Sequence, residues 1–158
     1  MSATELNGSP AHAATSTVAD LARFAGIHTL YPADGAARFS DLDLTAADVP
    51  YLAWAADSGI VTGYDNGTFR PEKTLTREQM AALLWRYAGN PAPTQALTAT
   101  DQDSISDWAK SAMAWASEKG MFNAPSAPTK LQPTAYAFRI DMAVMLWHYY
   151  GAPLYKAN

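Results

Sequence analysis

Apolar residues recur at three- and four-residue spacing in two long stretches of this chain: Met80, Leu83, Leu84 and Tyr87, then Met142, Met145, Leu146 and Tyr149. That spacing predicts a helix with one buried face in each place. Thr76 is placed as the N-cap of the first, and Gly89 and Gly151 as the left-handed stops. A shorter helix is expected before each. One begins near Asp48-Val49-Pro50, where proline suits the first turn, and runs through Leu52 and Ala55-Ala56 to Gly59. The other takes Ser106 or Asp107 as N-cap and runs through Ala112, Trp115 and Ala116 to Gly120. Asp65-Asn66-Gly67 is a turn signal. Phe69 and Leu131 stand two residues before Pro71 and Pro133, so each loop is expected to pin one apolar side chain into the core. Short strand pairings are compatible with these loops, but helix should dominate.

These elements form a repeat. A shift of 62 aligns Pro71, Arg77, Met80, Ala81, Leu84, Trp85, Tyr87 and Gly89 with Pro133, Arg139, Met142, Ala143, Leu146, Trp147, Tyr149 and Gly151. Shifts of 61 and 60 align Trp54, Ala55 and Gly59 with Trp115, Ala116 and Gly120, and Asp41 with Asp101. Drift of one residue reflects loop insertions in a duplicated helix–loop–helix unit. Residues 39–89 form the first repeat, 90–98 a linker, 99–151 a degenerate second repeat and 152–158 a tail. Upstream, 14–38 read as a helix and linker left from a preceding repeat, and 1–13 as a flexible segment. Matched tryptophans Trp54, Trp85, Trp115 and Trp147 are expected to be mostly core.

Composition narrows the function. Of 158 residues 49% are hydrophobic, so a core can form, and the net charge is −4 with scattered basic residues. A nucleic-acid surface, which needs a concentrated basic face, is not expected. The absence of cysteine removes disulfides, thiolate metal sites and cysteine nucleophiles. No apolar run reaches the roughly 18 residues of a membrane helix. Residues 1–13 lack the basic start and apolar stretch of a signal peptide, so the chain reads as a piece of a longer protein. Asp41-Leu42-Asp43, Asp65-Asn66-Gly67 and Asp101-Gln102-Asp103 do not complete a calcium loop and fit capping and turn roles instead. No hydrolase elbow, zinc helix or phosphate loop is present, and no enzyme, metal or cofactor is predicted.

Phe39-Ser40-Asp41, Trp54 to Ile60, Gly63-Tyr64-Asp65-Asn66-Gly67-Thr68-Phe69-Arg70-Pro71 and Leu75-Thr76-Arg77-Glu78-Gln79 together resemble an S-layer homology repeat. The resemblance implies a mostly α fold of tandem helix-loop-helix repeats packed in a pseudo-threefold bundle. It also implies extracellular attachment to an anionic, often pyruvylated, secondary cell-wall polysaccharide. The family's arginine maps to Arg77 and Arg139. The sequence departs from the family pattern: a third full unit is missing, Ala99-Thr100-Asp101 replaces the opening Phe-x-Asp of the second repeat, and Ala47 stands where the family has tryptophan, which the second repeat keeps as Trp108. Glu78-Gln79 stands where the family has Ala-Glu, the second repeat reads Phe138-Arg139-Ile140-Asp141, and it loses the glycine turn.

Arg77 follows a helix cap, where a cation opposes the helix dipole. Two uses are open: a planar fork for a ligand carboxylate, or an internal ion pair with Glu78 or a nearby aspartate. The expected ligand-binding set is Arg77, Glu78, Gly63, Tyr64, Gly67 and Arg139, with Tyr64 stacking on a sugar or covering the turn. Besides polysaccharide, another surface protein is the alternative partner, for a structural or interaction module that has lost glycan binding. A third reading makes the chain part of an exported enzyme whose catalytic domain lies elsewhere.

Overall fold

The computed structural model describes Thr17 and residues 33–45, 49–122 and 130–149; for 33–35 and 139 the backbone alone is described. These residues are mostly helical, and their β structure consists of isolated bridges. They divide into two compact units, with the break between Leu75 and Thr76. The break falls inside the sequence repeat, at the cap of its second helix. Of the helix and linker expected over 14–38, only Thr17, in a bridge, and Ala33–Arg38, a 3-10 helix, are among the described residues.

In one unit, a 3-10 helix at Ala33–Arg38 packs on α1, Val49–Asp57. Small side chains make the approach close: Ala36, Val49 and Ala53 are fully or almost fully buried, with Leu42 against them. Gly59 at φ +71° ends α1, and the amides of Ile60 and Val61 both donate to the Ala55 carbonyl at 3.0 Å. Those bonds satisfy a carbonyl the helix itself leaves open. Phe69 is 1% exposed and meets Phe39 edge to face with ring centroids 4.9 Å apart. A bridge joins Thr17 to Thr74.

The second unit holds α2 (Arg77–Tyr87), α3 (Lys110–Glu118) and α4 (Arg139–Tyr149). Thr76 caps α2 in a capping box: its hydroxyl accepts from the Gln79 amide, and the Gln79 carbonyl accepts from the Thr76 amide. A 3-10 turn at Asp107–Ala109 leads into α3, where the sequence suggests a single helix. Ser106 precedes that turn, but its hydroxyl bonds Glu78 instead of capping it. Gly89 and Gly120, at φ +86° and +70°, follow α2 and α3 as expected.

The core of this unit is rich in methionine. Met80, Met113, Met121, Met142 and Met145 are all at most 1% exposed. Each such burial contributes about 1.5–3 kcal/mol, and the unbranched thioether fills gaps that branched side chains would leave. Helix α2 packs on α3, and Tyr149 of α4 meets Tyr87 and Trp115 with centroids 5.6 and 6.3 Å apart. The tryptophans divide. Trp115 is 4% exposed, whereas Trp147 is 48% exposed because it lies off the Met142–Met145–Leu146 stripe. Trp85 turns its indole N–H to the Pro91 carbonyl at 2.8 Å, against the linker.

Candidate functional site

The N-terminus of α2 is where the expected ligand cation stands, and its first two amides already have partners. Arg77 N–H donates to the Ala135 carbonyl at 2.9 Å and Glu78 N–H to the Pro133 carbonyl at 3.0 Å. A single β-bridge between Thr76 and Tyr136 brings that loop alongside. The Arg77 side chain continues the clasp. Its Nε donates to the Leu131 carbonyl at 2.8 Å, its Nη1 pairs with Asp141, and its guanidinium lies 5.1 Å from the Phe122 ring centre. The side chain is 13% exposed. Of the two uses open to Arg77, the internal ion pair is present, with an aspartate and not with Glu78.

Asp141 is well placed for this because its other oxygen accepts the Phe138 amide at 2.8 Å, which fixes the carboxylate. Gln79, its counterpart in the first repeat, makes the same reach-back bond to Thr76. The two repeats therefore share the reach-back half of the capping box, although one uses an amide and the other a carboxylate. Glu78, displaced by one position from the family acid, is buried and accepts both the amide and the hydroxyl of Ser106.

Gly63, Tyr64 and Gly67 belong to the other compact unit. Their turn closes by Tyr64 N–H to the Thr68 carbonyl at 2.8 Å and Gly67 N–H to the Tyr64 carbonyl at 2.9 Å. Gly63 has φ +74°, and a Cβ there would come within 2.5 Å of Phe39 Cε1. The hollow beside that glycine is occupied by Phe39. Tyr64 is 38% exposed, and its ring carries the Arg70 guanidinium at 4.3 Å and the Lys73 ammonium at 5.0 Å. The backbone of Arg139 heads α4; its side chain lies outside the described residues.

An aspartate organises each loop. Asp41 accepts the amides of Phe69 and Arg70 at 2.7 and 2.8 Å, and Asp101 those of Leu131 and Gln132 at 2.9 and 2.7 Å. Arg70 and Gln132 share a left-handed backbone, at φ 57° and 52°. Thus the turn role read for these aspartates is a two-amide clamp that sets the anchor residue before each proline. Burial pushes both carboxyls up, but the paired amide bonds outweigh it and hold both below the ordinary value of 3.8.

Among the described residues no three His, Asp or Glu side chains converge as a metal site, and no helix is long and apolar enough to cross a membrane. An open groove of about 520 Å³ between the 93–97 linker and the start of α3 includes none of the expected site residues. Arg70 and Lys73 were not singled out from sequence, and Ser106 was read only as a helix cap. Arg70 alone carried a signal, a charged residue between the apolar anchor and the proline.

The fold and these contacts define a mostly helical protein in which two loops are set by the clamped aspartates Asp41 and Asp101. Residues 38–81 match the S-layer homology domain. The chain is 27% identical over 107 residues to cell surface glycoprotein 1 of Acetivibrio thermocellus, covering 66% of this chain and 5% of the relative. It is 42% identical over 64 residues to an endoglucanase of a Bacillus species, covering 37% of this chain and 7% of the relative. The chain thus spans a small fraction of both relatives.

Proposed function

We propose that this chain is a non-catalytic module that attaches a larger extracellular protein to the bacterial cell wall by holding an anionic secondary polysaccharide. The match of residues 38–81 to the S-layer homology domain carries this reading. Two relatives with different names, a surface glycoprotein and an endoglucanase, match the chain over only 5% and 7% of their own lengths. That pattern suits a portable attachment domain better than a shared catalytic activity. The tandem repeats would complete a pseudo-threefold bundle, and a pyruvylated sugar would supply the acid.

In this reading Arg77 contributes through the donors that remain. Guanidinium has five N–H donors; among the described residues one goes to Leu131 and one to Asp141. A ligand acid would take the other edge, or exchange with Asp141. Arg139 would act similarly in the second repeat. Gly63, Tyr64 and Gly67 would form the turn the polymer passes.

Co-sedimentation with purified bacterial walls, intact or stripped of their anionic polymer by acid, tests the proposal. The chain should sediment with the intact walls and stay in solution with the stripped ones. Equal sedimentation with both would favour the second reading, an interaction module without glycan binding. One observation supports that alternative: Tyr136, Phe138 and Ile140 are 61%, 40% and 50% exposed, an apolar edge ahead of and into α4.

A further inference from the structure

Arg70 and Lys73 are both drawn to one half-exposed ring, Tyr64. Two cations held at the same ring repel each other, and the ring's negative face offsets that only in part. Among the described residues neither cation forms an ion pair with a carboxylate; Asp41, which accepts the Arg70 backbone amide, feels the Arg70 charge without pairing with the guanidinium. An anion placed between them would meet the charge that Asp41, on the backbone side of Arg70, leaves uncompensated.

The fold does not ask for these charges. In the second repeat, at the same shift of 62, Gln132 stands for Arg70, Ala135 for Lys73 and Ser126 for Tyr64. Gln132 takes the same left-handed backbone and the same aspartate clamp as Arg70. Loop geometry therefore needs neither the guanidinium nor the ammonium. The Arg70 side chain is nonetheless held: its Nε donates to the Thr68 hydroxyl at 3.2 Å, and that hydroxyl donates to Asn66 at 2.7 Å. This leaves the outer nitrogens of a planar fork next to a mobile point charge, a pairing suited to a carboxylate.

We propose that Tyr64, Arg70 and Lys73 form a carboxylate subsite for an acidic saccharide, separate from Arg77 and present in the first repeat only. Tyr64 serves as the platform that gathers the cations. The proposal rests on the wall-anchoring reading for the source of the saccharide.

The test compares wild type with Lys73→Gln and Arg70→Gln in co-sedimentation with intact walls. Polygalacturonate, polyphosphate and neutral dextran serve as soluble competitors. Each substitution removes a charge-assisted contact and should weaken wall binding about tenfold. Polygalacturonate should displace wild type from walls, and dextran should not. Gln132 is the precedent that Arg70→Gln folds, and unchanged thermal melting would check it. Lys73→Gln, which alters only an exposed side chain, carries the test should the other variant unfold. If wild type sediments and both variants sediment equally well, the subsite is overturned while the anchoring reading stands. If wild type itself stays in solution, both fail. Displacement by polyphosphate as strong as by polygalacturonate would overturn the carboxylate assignment.

Discussion

The Glu78 carboxylate accepts the backbone N–H and the hydroxyl of Ser106, at 3.0 and 2.9 Å, while itself 5% exposed. One buried side chain of α2 thereby receives the segment that leads into α3. Both carboxylate oxygens face donors.

Glu78→Ala should therefore cost about 2–4 kcal/mol, because two donors lose a charged acceptor in a closed site. Glu78→Gln should cost less but remain destabilising, since its amide N–H₂ would face a donor. Urea unfolding of the unit-containing chain checks this. A loss below about 0.5 kcal/mol for the alanine variant would mean that Glu78 is not a structural acceptor.

Arg77→Met should destabilise by about 2–4 kcal/mol, since it leaves a partly buried Asp141 without its counter-ion and the Leu131 carbonyl without a donor. The pair Arg77→Met with Asp141→Leu should recover part of that loss, because no lone charge then remains. A double-mutant cycle measured by urea unfolding gives the coupling. Full additivity would show that the two residues act independently.

Asp41 and Asp101 predict a loss of stability in acid. Both folded-state carboxyls lie below the ordinary value of 3.8, owing to the amide bonds that outweigh burial. A depressed folded pKa stabilises the protein fully above the unfolded value and loses that contribution as pH falls through the folded one. The thermal midpoint should therefore hold steady through neutral pH and drop below about pH 4. Replacing both aspartates by asparagine should lower the midpoint at neutral pH and shallow the acid limb. An acid limb of unchanged steepness would assign it to other carboxylates.

Much of the architecture was legible in periodicity. The stripes at Met80–Tyr87 and Met142–Tyr149 became helices because one buried face repeats every three or four residues. The Thr76 cap and the stops at Gly59, Gly89 and Gly120 followed from local backbone chemistry, which neighbours in sequence decide; Gly151 lies outside the described residues. Phe69 and Leu131 were legible as anchors for a similar reason: the proline two residues on fixes the chain direction. Trp147 was not legible. Its match with Trp85 shows that the position recurs, but recurrence does not say which side of the helix faces the core.

The site was less legible, and Arg77 shows why. A cation at a helix start is equally suited to a ligand acid or an internal one. Choosing between them requires knowing what lies across the space, and Asp141 is 64 residues away. Gly63 is similar: positive φ explains a glycine, but only the Phe39 ring beside it explains why no room is left.

The sequence by itself determined the helical stripes, the Thr76 cap and the turn that carries Tyr64, since each depends on residues within a few positions. Only the tertiary structure decided which acid meets Arg77, that Glu78 holds Ser106, and that Arg70 and Lys73 converge on one ring. Those pairings depend on distance through space, which local patterns do not encode.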